Sequence, residues 1–184
     1  MKELLKIYCE SFKNKTYIEE NNDTDILMDI FGITPEQKRE NRQYWGRELG
    51  MLWQRIITKL SIINCENYQP ALRINGDEPC DLRIGKDAID TKYRIGSGDS
   101  GTLKKFKNYA TLLSSKGYNP VLLILRNDNL SSAIQACVSS GWTIYTGQQS
   151  FNYLKEKLNI DVEELLKAEK NCFLLTNNTV TKNI

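Results

Sequence analysis

The stretch EPCDLRIGKDAIDTKYRIGSGDSG, residues 78–101, decides how this chain is read. Gly85-Lys86-Asp87 stands between two short runs, CDLRI and AIDTKYRI, and reads as a tight turn joining antiparallel strands. Side chains alternate along a strand, so Asp90 and Lys92 share one face while Ile89 and Thr91 take the other. Asp81 lies on the partner strand and reaches the same spot if the turn is where the glycine places it. The hairpin runs on into a glycine-rich loop, residues 96–101, and a helix expected from about residue 102 to 115. That helix carries Leu103, Phe106, Ala110 and Leu113 as one stripe, with Lys104, Lys107 and Asn108 pointing elsewhere.

Upstream, the first sixty-odd residues read as helical. Leu4, Leu5, Tyr8 and Phe12 recur at helical spacing, a polar break KNKTYIEENND follows, and then an apolar segment ILMDIFGI. Thr34-Pro35-Glu36-Gln37 has the form of a helix start, with Thr34 as cap, Pro35 at the first position and Gln37 closing a capping box. From about residue 44 to 63, Leu49, Leu52, Trp53, Ile56, Ile57 and Leu60 make a broad apolar face that needs a cover. The texture then changes to short runs between turn residues, beginning with ALRI and NGDEP.

Downstream, residues 121–125 are apolar without interruption and read as a buried central strand. A helix from about 130 to 139, a strand at 142–145 and a return to helix follow, with Asp161 and Glu164 as a cap and its reciprocal partner. The expected fold is α/β, a mixed central sheet flanked by helices, in a single domain over residues 1–184. Its parts are an N-terminal helical region (about 1–63), C-terminal helices (about 147–172) and a frayed tail (174–184).

Composition narrows the chemistry. The chain has 184 residues, 40% hydrophobic and 26% charged, and no histidine. A chain of this length buries roughly 70% of its unfolded surface, enough for a real core. The absence of imidazole removes Ser-His-Asp and Cys-His hydrolysis, histidine-based zinc sites and histidine-dependent nucleases. Carboxylates, lysine or cysteine must then do any catalytic work. Five cysteines, Cys9, Cys65, Cys80, Cys137 and Cys172, form no CxxC pair and read as reduced, mostly buried thiols. The five-residue apolar run is too short to span a bilayer, and charges interrupt MKELLKIYCESF where a signal peptide needs an apolar stretch, so a cytoplasmic protein is expected.

Net charge is only +2, but residues 83–116 hold eight basic side chains (Arg83, Lys86, Lys92, Arg94, Lys104, Lys105, Lys107, Lys116) against Asp87, Asp90 and Asp99. Such a stripe suits a phosphate backbone, although a solvated helix face accounts equally for Lys104 and Lys116 taken singly. Two carboxylates and one ammonium at the end of a hairpin are costly to desolvate together unless a further cation balances them. A hard cation such as Mg²⁺ held by oxygen ligands suits phosphodiester hydrolysis, with the lysine holding the attacking water or steadying developing negative charge. The loop 96–101 matches neither the P-loop nor the dinucleotide fingerprint. Its reading here is a loop approaching DNA through backbone amides and the hydroxyls of Ser97, Ser100 and Thr102. Trp45, Trp53 and Trp142 read as packing, Tyr44 and Tyr93 as neighbours of the site, and Cys80 as a structural thiol that lacks a base to activate it.

Pro79-Cys80-Asp81 followed by Asp90-Thr91-Lys92 resembles the PD-(D/E)xK nuclease signature, with one extra residue between Pro79 and Asp81. The order helix, hairpin, helix, buried strand is similar to that family's core and covers about residues 44–145. The continuation KYRIGSGDSGTLKKF most resembles type II restriction endonucleases. The resemblance implies a restriction-endonuclease-like fold and a Mg²⁺-dependent homodimer that cuts both strands of double-stranded DNA at a short site, leaving 5′-phosphates. It places Mg²⁺ on Asp81, Asp90 and the main-chain carbonyl of Thr91, with Lys92 at the reacting water. It puts an auxiliary acid on the preceding helix, where Glu48 is the matching position; a solvated glutamate favoured by the helix dipole is the equal alternative. DNA contacts are expected from Tyr93, Arg94, Ser97, Asp99, Ser100, Thr102, Lys104, Lys105 and Lys107. A junction resolvase or repair nickase of the same family, or a DNA-binding module without catalysis, are the competing readings.

Overall fold

A computed structural model describes residues 2–13, 21–74, 76–96 and 98–175. In chain order the elements are α1 (Lys2–Lys13), α2 (Ile26–Phe31), α3 (Pro35–Glu40), α4 (Arg42–Asn64), β1 (Tyr68–Pro70), β2 (Leu82–Ile84) and β3 (Asp87–Lys92). They continue with α5 (Ser100–Ser115), β4 (Asn119–Ile124), α6 (Ser131–Ser139), β5 (Thr143–Thr146), α7 (Gln148–Leu158) and α8 (Val162–Ala168). The strands form one sheet in sequential order, antiparallel through β1, β2 and β3 and parallel through β3, β4 and β5.

The expected hairpin forms. Gly85 adopts a left-handed φ of 58°, which glycine enters without steric cost, and the register pairs Ile84 with Asp87 and Leu82 with Ile89. β1 pairs with β2 and was not expected, whereas ALRI makes no strand beyond a single bridge from Ile74 to Asp77. Pro70 lacks the N–H of a ladder residue, which suits its place on an edge strand.

Alternation along β3 divides the protein into two cores. Ile89 and Tyr93 join a cluster with Leu27, Trp53, Ile57, Leu123, Phe151 and Leu154, which packs α2, α4, α7 and α8 on one face. Ala88 faces Phe106, Ala110, Leu113, Leu122, Ala133 and Cys137, packing α5 and α6 on the other. Leu122, Leu123 and Ile124 on β4 are fully buried, and each contributes about 1.5–3 kcal/mol over an exposed position. The fold is therefore a mixed five-stranded sheet with helices on both faces, as the sequence patterning implies.

Local signals hold at several helix starts. Thr34 accepts from the Gln37 amide at 3.2 Å while Gln37 Oε1 accepts from the Thr34 amide at 2.9 Å, completing the box. Asp161 caps α8 by accepting from the Glu164 amide at 3.1 Å. The Glu164 carboxylate accepts from Lys167 at 2.9 Å instead of returning to the cap. Leu174 and Leu175, expected in the tail, lie against α2, where Leu175 donates its amide to the Phe31 carbonyl at 2.9 Å. Residues 176–184 and most of the polar break fall outside the described residues.

Asp87 opens β3 and takes hydrogen bonds from Asn119 at 3.0 Å, Tyr153 at 3.0 Å and Lys157 at 2.9 Å. Burial works against this carboxylate, yet these partners hold its pKa below the ordinary 3.8. A depressed carboxylate gives stability that is present above its unfolded pKa and lost as pH falls through the folded one. Asp87→Asn is accordingly expected to flatten the acid limb of a melting-temperature profile between pH 6 and about 2.5. An unchanged acid limb in the variant would remove Asp87 from that response.

Candidate active site

Three strand residues converge because the hairpin places them opposite one another. Asp81 continues the β2 ladder, donating its amide to the Ile89 carbonyl at 2.8 Å. Its Oδ2 accepts from the Thr91 amide at 2.7 Å and the Thr91 hydroxyl at 2.6 Å. Its Oδ1 accepts from the Gln54 side-chain amide on α4 at 2.8 Å. Asp90, only 9% exposed, holds the Lys92 ammonium with both carboxylate oxygens at 2.7 Å, and the same ammonium donates to the Thr91 carbonyl at 3.2 Å. Phe106 lies behind Lys92, its ring centroid 6.0 Å from the ammonium.

These groups open into a cleft of about 290 Å³ between the hairpin and α5, bordered by Glu78, Thr102, Lys105 and Tyr109 as well as the trio. Burial pushes the Asp90 carboxyl up to about 6, with Asp81 adding to the rise and Lys92 opposing it. Burial also works against the Lys92 ammonium, but Asp90 and Asp81 outweigh it and hold its pKa above the usual lysine value. The site thus holds two carboxylates against one ammonium in a poorly hydrated place, an arrangement that favours a second positive charge.

The Asp90 carboxylate and the Thr91 carbonyl already converge on one cationic centre, the Lys92 nitrogen. Hard oxygen donors of this kind are the type that Mg²⁺ takes, and Asp81 lines the same cleft. Glu78 also borders the cleft but is taken up by Arg73 at 2.7 Å, and among the described residues no group of three or more His, Cys, Asp and Glu side chains is placed to hold a metal ion, so the cation position is left with two carboxylates and a carbonyl.

No family model, curated protein or solved structure matches this chain.

The remaining expected residues divide sharply. Glu48 stands apart from the trio, accepting from its neighbour Arg47 at 3.0 Å. The face of α4 that meets the hairpin carries Gly50, 3.6 Å by its would-be Cβ from Tyr93, and one turn later Gln54. Six residues separate Glu48 from Gln54, which turns Glu48 well away from that face. Tyr44 is exposed, edge-on to Trp45, and does not border the cleft.

Tyr93 corrects its expected placing. It is 5% exposed, points into the larger core, receives a hydrogen bond from Lys38 at 2.6 Å and donates to Asp25. Strand alternation is the reason, since Tyr93 lies one residue past Lys92 and faces the other way. Arg94 is likewise drawn inward, its Nε bonded to the Asp128 carbonyl at 2.8 Å and its carboxylate at 3.2 Å. Asp99 caps α5, accepting from the Thr102 amide at 2.9 Å, so that amide is already used. Ser100 and Thr102 are exposed on the first turn of α5, and Thr102 borders the cleft. Ser97 lies outside the described residues. Lys104, Lys105 and Lys107 are exposed and join none of the ion pairs found among the described residues; Lys105 lies over the Tyr109 ring at 5.2 Å. Cys80 is 1% exposed and burial pushes its thiol up, as a structural cysteine requires.

Two features escaped the sequence reading. Gln54 is one polar residue on the border of the Trp53 and Ile57 stripe, and nothing in spacing separates it from Gln43 or Arg55. Arg126, beyond the end of β4, joins Asp25 at 3.0 Å, Asp128 at 2.8 Å, Asn21 at 2.5 Å and the Asp23 carbonyl at 3.0 Å. The proximity of Asp128 was visible in RND; the partners a hundred residues away were not.

Proposed function

We propose that this protein is a Mg²⁺-dependent endodeoxyribonuclease that hydrolyses phosphodiester bonds in double-stranded DNA, of the restriction type and acting as a homodimer. The observation that carries the reading is the convergence of Asp81, Asp90, the Thr91 carbonyl and Lys92 at one cleft. Asp90, Asp81 and the Thr91 carbonyl would hold the ion, which supplies Lewis-acid polarisation of the phosphate and acidifies a bound water. Lys92, held charged by the carboxylates, would orient an attacking water and steady negative charge on the phosphoryl oxygens. Lys105 borders the cleft, and Lys104 and Lys107 are exposed on the same helix, which adds the positive charge that a DNA backbone needs. Gln54 and the amide and hydroxyl of Thr91 hold Asp81 in place and carry no chemistry of their own.

Supercoiled plasmid incubated with the protein and Mg²⁺ is expected to give discrete linear bands, and chelation of Mg²⁺ to stop the reaction. Lys92→Ala is expected to lower the cleavage rate about 100-fold or more while DNA affinity, read by fluorescence anisotropy, changes little. Full-rate cutting by Lys92→Ala would refute the mechanism. The two-carboxylate cleft also favours one competing reading, a DNA-binding module without catalysis. That reading expects DNA binding with no Mg²⁺-dependent strand scission on any linear, nicked or branched substrate.

A further inference from the structure

Asp81 uses its two oxygens unequally. Oδ2 takes two donors from Thr91, while Oδ1 takes one, the Gln54 amide. A carboxylate has about four acceptor positions, two on each oxygen. Oδ2 is therefore filled, and Oδ1, with its single donor, keeps one acceptor direction on a carboxylate that lies within reach of Asp90. A cation reaching Asp81 meets only that direction, and the Gln54 amide fixes where it points. The orientation of Gln54 is itself determined, because its carbonyl oxygen set 2.8 Å from Oδ1 would place two acceptors face to face. Gln54 comes from α4, which packs on the opposite core from α5, so the placement of Asp81 is tied to a helix that carries none of the other site groups.

We propose that Gln54 is the positioning residue for the cation site: it pins Asp81 for single-oxygen coordination and, being neutral, keeps the site at two carboxylates. This inference rests on the nuclease reading above. A glutamate here would set a third carboxylate against Oδ1, and like charges so close demand a proton or a cation between them. The identity of residue 54 therefore governs how strongly the empty-handed protein takes up a divalent ion. Outer partners of metal ligands change metal affinity or activity by about 10- to 100-fold when removed.

The test is isothermal titration of the full-length protein with Mn²⁺ in the absence of DNA, alongside the Mg²⁺ concentration that gives half-maximal plasmid cleavage. Gln54→Leu is expected to weaken Mn²⁺ binding and raise the Mg²⁺ midpoint, each about 10- to 100-fold. Gln54→Glu, close to the native shape, is expected to bind Mn²⁺ more tightly than the wild type. On an Asp81→Asn background Gln54→Leu is expected to add nothing, since it acts through Asp81. Unchanged Mn²⁺ isotherms for both single variants, with circular dichroism showing folded protein and Asp90→Asn inactive, would overturn the role of Gln54 and leave the nuclease reading standing. A wild type that neither binds Mn²⁺ nor cuts DNA would overturn both.

Discussion

Asp90→Asn is expected to abolish DNA cleavage, lowering the rate by about 10³-fold or more, with the fold intact. The carboxylate of Asp90 is the least exposed polar group of the trio and the one that meets the Lys92 ammonium through both oxygens. Asparagine preserves its shape but removes the charge that a divalent ion needs. Metal-borne charge stabilisation is worth several kcal/mol, and roughly 4 kcal/mol corresponds to about 10³ in rate. Lys92 retains the Thr91 carbonyl as a partner in the variant, so the strand end stays ordered. The comparison is between initial rates on supercoiled plasmid at saturating Mg²⁺, with melting temperature measured on the same preparations. Cutting within tenfold of the wild type would remove Asp90 from the reaction.

The largest expected loss of stability comes from Arg126→Met. Arg126 is 5% exposed and its guanidinium spans Asp25 and Asp128, while Arg94 supports Asp128 and Lys38 reaches Tyr93, whose hydroxyl also meets Asp25. Burial disfavours each charge, and the pairing offsets that cost only while both signs are present. Methionine fills much of the volume yet leaves two largely buried carboxylates without their main partner. The expected loss is about 3–5 kcal/mol. Urea denaturation would register it as a lower midpoint at unchanged slope, and a loss under about 1 kcal/mol would show that the network is not a tie between the N-terminal helices and the sheet.

How much of the fold is legible in the sequence follows the range of each signal. The β2–β3 hairpin was legible because strand alternation and the glycine turn are local, and so were α4, α5 and β4, whose apolar stripes are long. β1 was not, because Tyr68-Gln69-Pro70 carries no alternation and becomes a strand only by pairing with β2. Asp81, Asp90 and Lys92 could be brought together from one hairpin. Gln54 could not, since its contact with Asp81 depends on the angle at which α4 crosses the sheet. Glu48 shows the same gap from the other side: a plausible residue on the right helix, turned away by its phase. Tyr93 and Arg94 looked like surface contacts in a basic stretch, yet burial of the strand end and Asp25 and Asp128 draw them inside.

β3 acts as a partition wall. Its odd-numbered Ile89, with Tyr93 one residue past its end, belongs to the larger core, while its even-numbered Asp90 and Lys92 line the opposite compartment with α5. A lineage could therefore exchange the even positions, trading one reaction for another or for none, without disturbing the odd ones that keep the architecture standing. Asp81 is the exception, held across the wall by odd-numbered Thr91 and by Gln54, so it is Asp90 and Lys92 that can be swapped while the neighbouring compartment holds its shape.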